Sequence, residues 1–337
     1  MKLHHLDTFT TKNNNEIRKQ AINTLNNLKV LIPFDSSLEL YHGRTESEQE
    51  KYSIKNDVNN TGNYNGHYNV NGIPGLHTST IQVAQLYANA RTKEKYTRLI
   101  NQHAIINAKP NIYRIVATTN SMYIFDICKI YNTPDLIEEL SSFINLSEEE
   151  KKYLNNNLLS KEQTQQMKNA ISALISTYTI PELVPHLFCD KQNSKILKDL
   201  IFISKQNSKQ GKKQIVYDKD LEKYLTRCKS KNLDIKIIQK IANTINMYNM
   251  IKFDCDILTL FNKLQSGIDF NDECSLNLDL FKNFLISNNI CGVHQKIWKS
   301  NVISLANFDD YFFFDTTKIN TERVAKKIRE ENFITQQ

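Results

Sequence analysis

The chain has 337 residues, 40% of them hydrophobic and 23% charged, with a formal net charge of +7 at pH 7. That length buries a sizeable core in one large domain or two, and the composition excludes a disordered or fibrous chain. No stretch approaches the ~20 apolar residues of a membrane span, and the N-terminal MKLHHLDTFTTKNNNEIRKQ lacks the apolar core of a secretory signal.

In chain order, the first 30 or so residues read as a helix, with Ile17, Ala21, Ile22, Leu25 and Leu28 at helical spacing. A strand is expected at about 38–42, running into Tyr41-His42-Gly43-Arg44, and then a polar loop rich in Asn, Gly and Tyr at 55–72. GIPGLHTSTIQVAQLYANAR reads as a turn, a short strand and a helix. Thr78, Ser79 and Thr80 are candidate caps, and Ile81, Ala84, Leu86, Tyr87 and Ala88 a candidate packing side. NIYRIVATTNSMYIFDI (111–127) gives two β-rich runs broken by Thr-Thr-Asn-Ser.

After Tyr131 the pattern becomes helical. SEEE at 147–150 and SKEQ at 160–163 fit the capping box, and helix-period apolar patterns continue at 165–178, 194–203, 232–251 and 254–265. Strand character returns near 290 with CGVHQKIW, SNVISL and DDYFFFD (309–315). Strands at both ends with helices between suggest one mixed domain interrupted by a helical insertion. The expected pieces are 1–131, 132–285 and 286–337.

Six cysteines at 128, 189, 228, 255, 274 and 291 show no CxxC and no paired spacing. They read as reduced thiols, with neither a zinc site nor a disulfide framework. Residues 205–231 carry nine Lys or Arg against three Asp or Glu. Such a segment is a solvated face or a contact for an acidic partner, and no helix-turn-helix or RNA-binding signature accompanies it, so nucleic acid is not expected.

Four pieces line up in order: LYHGRT (40–45), GLHTSTIQVAQLYA (75–88), NIYRIVATTNSMYIFDI (111–127) and ISNNICGVHQKIWKSNVISLANFDDYFFFDTTKI (286–319). Together they resemble the ADP-ribosyltransferase superfamily, on the branch shared by diphtheria-type toxins and poly-ADP-ribose polymerases. The resemblance implies an α+β fold, an ADP-ribosyltransferase-like split β-sheet core interrupted by a large α-helical insertion. It also implies NAD as substrate and no metal. His42 and Gly43 match the family's His-Gly; His77 stands where the branch has its first tyrosine, as in the tRNA 2′-phosphotransferase relatives. Tyr87 matches the second, stacking tyrosine, one residue closer than usual, and Asp310 matches the catalytic acid, with Asp309 as the alternative register.

The implied catalytic set is thus His42, His77 and Asp310, and the implied NAD-binding set Tyr41, His42, Gly43, Arg44, Thr78, Ser79 and Tyr87. Breaking the nicotinamide–ribose bond builds positive charge on the sugar, so the chemistry needs a held nicotinamide, an oriented ribose and a nearby negative charge. Glycine after the histidine would let the backbone approach the carboxamide, Tyr87 would stack on the ring, and Arg44 would reach the pyrophosphate. The implied function is mono-ADP-ribosylation of a protein by a secreted bacterial effector or toxin, soluble and acting in a host cytosol. NAD glycohydrolase, RNA 2′-phosphotransferase-like chemistry and an inactive protein-binding module are the alternatives. Read singly, His42 is equally a satisfied structural histidine, Tyr87 a core residue and Asp309-Asp310 the start of an exposed strand.

Overall fold

The computed structural model of the chain describes residues 4–35, 37–47, 75–90, 108–119, 122–130, 147–157, 159–229, 234–255, 257, 260–261, 278–297, 305 and 307–324. The polar loop at 55–72, the SNVISL segment before 305 and most of the pattern at 254–265 lie outside the described residues. Over the described residues the chain is mixed α/β with two β-sheets, and it divides into two units.

The helical unit takes the described residues of Met1–Val30 and Lys129–Asn288. Its longer helices are α1 (His4–Asn27), α2 (Glu148–Asn157), α3 (Lys161–Ser176), α4 (Lys191–Lys209), α5 (Asp218–Lys229), α6 (Ile235–Asn249) and α7 (Leu278–Ser287). Their starts follow from side-chain chemistry. At α3 the Ser160 side chain accepts from the Gln163 backbone while the Gln163 side chain accepts from the Ser160 backbone, the capping box read from SKEQ. Asp190 and Asp234 cap α4 and α6 more simply, each side chain accepting a backbone N–H two residues on.

Apolar side chains at helical spacing, such as Met167, Ala170, Ile171, Leu174 and Ile175 of α3, form the buried faces. The N-terminal helix, expected with the strands, belongs to this unit. Arg18 of α1 donates to the Thr177 hydroxyl at 2.8 Å and to its carbonyl at 3.0 Å, and its guanidinium lies 3.9 Å from the Tyr178 ring centre. Amphipathic periodicity says that a helix buries one face but not which partner covers it, so sequence order misassigned α1.

The strand-bearing unit takes the described residues of Leu31–Asn69, Pro74–Cys128 and Asn289–Gln337. Its strands are β1 (Leu31–Phe34), β2 (Leu40–Ser47), β3 (Leu76–Thr78), β4 (Ala108–Ala117), β5 (Met122–Asp126), β6 (Ile290–Ile297), β7 (Phe308–Phe313) and β8 (Ile319–Arg323). One sheet runs β1-β5-β6-β7-β3 and the other β2-β4-β8. Phe34, Leu40, Leu76, Ile115, Met122, Ile124, Cys291, Phe313 and Ile319, drawn from strands of both sheets, form one buried cluster. A single bridge, Tyr41 with Ser79, ties β2 to the end of β3, with backbone bonds of 2.8 and 2.9 Å. β5 and β6 pair in parallel while every other pairing is antiparallel. Parallel neighbours need a long crossover, and the helical segment supplies it. Among the described residues no helix is long and apolar enough to cross a membrane.

Candidate active site

β2 sets the first histidine. Because Tyr41 exchanges both backbone bonds with Ser79, its N–H and C=O point away from β4. Strand alternation then turns the N–H and C=O of Gly43 to the same side. His42, between them, reaches across with Nδ1 2.8 Å from the carbonyl oxygen of His77. A carbonyl only accepts, so Nδ1 carries the hydrogen. The glycine has a structural reason: a Cβ at Gly43 would come within 1.7 Å of the backbone oxygen of Ala84. The close approach expected for a ligand at this residue is made here by the helix at 81–90, on the side where a Cβ would project.

That helix begins where GLHTST ends. Of the three candidate caps only Thr80 acts as one, accepting the Val83 N–H at 3.4 Å. Thr78 and Ser79 are buried and spend their hydroxyl hydrogens on β7, on the carbonyls of Tyr311 and Asp309. Tyr87 is half-buried and meets Phe308 edge-on with ring centres 6.2 Å apart. Tyr41 is half-buried beside Ala84 and Ile112, its hydroxyl 3.4 Å from Glu39. Arg44, next to Gly43 on β2, is half-buried as well.

His77 lies on β3 opposite Phe312, and its Nδ1 sits 3.0 and 3.3 Å from the two oxygens of Asp310. Gln295 of β6 donates to the same carboxylate at 2.8 Å. The His77 side chain is 57% exposed and that of Asp310 10%, so an accessible imidazole stands over an enclosed carboxylate. Burial alone would raise the Asp310 pKa, but the His77 charge and the bonds from His77 and Gln295 hold it below the usual carboxylate range. For His77 burial pulls downward, yet the Asp310 charge and hydrogen bond lift its pKa above the ordinary histidine value. His42, His77 and Asp310 therefore form one hydrogen-bonded chain spanning β2, β3 and β7.

Successive side chains of a strand point to opposite faces, so Asp309 and Asp310 have different neighbours. Asp309 turns to His294 of β6, whose Nε2 is 3.0 Å from Asp309 and whose Nδ1 is 3.0 Å from Asp126 at the end of β5. Lys296 approaches both Asp309 oxygens at 3.4 Å, and the Tyr311 ring stacks on His294 at 4.6 Å. Burial alone would lower the His294 pKa, but its hydrogen bonds to the two carboxylates raise it to about 9. Both ring nitrogens then donate, as an imidazolium must. The hydrogen bond from His294 keeps Asp309 ionised below its ordinary range.

Asp126, Cys128 and His294 also bring donor atoms within 4.8 Å of one another, a geometry open to a metal ion. Without a metal, burial and the Asp126 charge push the Cys128 thiol up to about 12, and the His294 and Lys296 cations face the two carboxylates. Among the histidines only His42 and His77 fall in the motifs singled out from the sequence, so this cluster was missed. Its signal was faint: Asp126 closes one β-rich run, His294 sits inside another, and they lie 168 positions apart.

No protein-family model matches the chain, and neither a curated protein nor a solved structure does.

Proposed function

We propose that the chain is a NAD-dependent mono-ADP-ribosyltransferase that modifies a protein. In this reading its strand-bearing unit is an ADP-ribosyltransferase-like split sheet, and the chain is a bacterial effector or toxin that works in a host cytosol. The observation that carries the proposal is the chain His42–His77–Asp310. They match the motifs in order and lie 35 and 233 positions apart, yet they meet across three strands. In this reading Asp310 rather than Asp309 serves as the catalytic acid, because Asp310 bonds the ring of His77, whose backbone carbonyl holds His42, while Asp309 is bound to His294 and Lys296.

The chemistry follows from exposure. With Nδ1–H held by Asp310, neutral His77 presents Nε2 as an acceptor. That atom accepts a hydrogen bond from a ribose hydroxyl, and the carboxylate behind it steadies positive charge developing on the sugar. As the nicotinamide–ribose bond breaks, its electron pair leaves with nicotinamide, which departs neutral. The acceptor on the protein substrate forms the new bond to the ribose carbon and releases its proton. His42, fixed through Nδ1, orients the sugar, and in this reading Tyr87 stacks on the nicotinamide ring.

The test is incubation with a tagged NAD analogue and a eukaryotic lysate, beside His42→Ala and Asp310→Asn. A labelled protein absent with both variants is expected. Loss of NAD without label would make the enzyme a glycohydrolase. Untouched NAD in every lysate would overturn the proposal and leave a binding module.

A further inference from the structure

α4 carries an arrangement that its core packing does not require. Ile196, Leu197, Leu200, Ser204 and Asn207 make its buried face. On the other side Lys191, Lys195, Lys198, Phe202, Lys205 and Lys209 are all exposed. Their spacing alternates four and three residues, so the six side chains fall within an arc of roughly 80° along a row about 27 Å long. None of the five lysines has an ion-pair partner among the described residues. The one acid of the helix, Asp199, accepts a hydrogen bond from the Tyr224 hydroxyl at 3.1 Å. Phe202 stands within the row and is 62% exposed.

We propose that this face docks on a lipid bilayer surface bearing anionic headgroups. The charge of the row selects a negative surface, and its straightness suits a flat one. Lysine stems lie along an interface while their ammonium groups reach the headgroups. Phe202, unfavourable in water, then has an apolar layer to enter, as aromatic residues of interfacial helices do. A nucleic-acid backbone also takes lysine, but its binding sites add forked guanidinium and amide donors, and this row has neither, so it is the less fitting partner. The exposed Phe253, with the Lys252 ammonium 5.4 Å from its ring centre, repeats the lysine–phenylalanine pairing elsewhere in the same unit. The inference stands apart from the catalytic reading, since no residue of the strand-bearing unit enters it.

The test is co-sedimentation of the full chain with vesicles of phosphatidylcholine alone or with 30% phosphatidylserine, a composition on the order of an anionic leaflet. Binding only to the anionic vesicles, falling as salt rises, is expected. Lys195→Glu/Lys198→Glu/Lys205→Glu should lower the partition coefficient roughly a hundredfold, and Phe202→Ser about tenfold. Circular dichroism and melting temperature of both variants should match the parent, because all four residues are exposed. No binding to anionic vesicles, or binding that the triple variant leaves intact, overturns the proposal. Tighter, Phe202-independent binding to single-stranded RNA than to vesicles also overturns it, in favour of a polyanion site.

Discussion

Two histidines in the strand-bearing unit each hold one carboxylate of the Asp309-Asp310 pair, and they differ in almost everything else. His294 is enclosed by Asp126 on one side, Asp309 on the other and the Tyr311 ring across its face. His77 has a single carboxylate behind it and more than half its surface open. A ring bonded at both nitrogens has no atom left for a substrate, whereas a ring bonded at one has an orienting partner and a working edge. The same pair of residue types thus makes a structural clasp in one place and a candidate catalytic dyad in the other. The one-residue alternation of β7 separates them.

That contrast breaks most visibly in activity. Asp310→Asn should lower NAD turnover about a hundredfold or more, the scale of losing one electrostatic stabiliser in an enclosed site. Asp309→Asn, at equal folded protein, should change it far less. Turnover assays on the two variants decide the point, and equal losses would erase the distinction. The stability of the pair should run the other way. His294→Leu leaves Asp126 and Asp309 without their shared cation and should cost about 3 kcal/mol in urea unfolding, in the range for breaking a buried charged cluster. His77→Leu, at an exposed position, should cost well under that.

The pH dependence sharpens the same comparison. The folded pKa of His294 is about 9, above the unfolded value near 6.5. Its contribution is therefore complete below about pH 6.5 and lost as pH rises through 9. Unfolding free energy measured from pH 6 to 9.5 should fall across that window, and His294→Gln should flatten the fall. His77 also titrates above its ordinary value, and in the proposed reaction its deprotonated form accepts the hydrogen bond of a ribose hydroxyl. Turnover should therefore rise with pH above about 6.5, a limb that His77→Gln removes. The smallest effect belongs to the helical unit. Ser160→Ala removes one capping box and should cost about 1 kcal/mol, a measure of what a local contact contributes beside the buried cluster.

Much of the fold was legible from local chemistry. The capping box at Ser160 and the strand content of β2, β4, β5, β6 and β7 all carried recognisable patterns. β1 did not, because Pro33 sits inside a run of only four residues; the strand survives as the outermost of its sheet, where a missing N–H is tolerated. β8 was missed as well, its INTER sequence being polar at all but the first position. The site was half legible. His42, His77 and Asp310 could be chosen from motif order, but His294, Asp126 and Gln295 enter only through cross-strand register between distant segments. The role of Gly43 was anticipated as a close approach, and what approaches is the Ala84 carbonyl of the neighbouring helix.

The parallel pairing of β5 with β6 also has a consequence for the birth of the protein. Asp126 leaves the ribosome roughly 160 residues before β6 does, a lag on the order of 10–30 s at ordinary elongation rates. During that interval β1 and β5 can pair, while the opposite edge of Met122–Asp126 faces solvent with no strand to cover it. The helices translated meanwhile draw on contacts within their own unit and need not wait. The sheet is therefore a late assembly, and the His294 clasp that joins β5 to β6 and β7 acts as its closing fastener. A stalled or truncated chain would hold a formed helical half and an adhesive strand edge, and the cell would meet that species as a chaperone client before it ever met the finished fold.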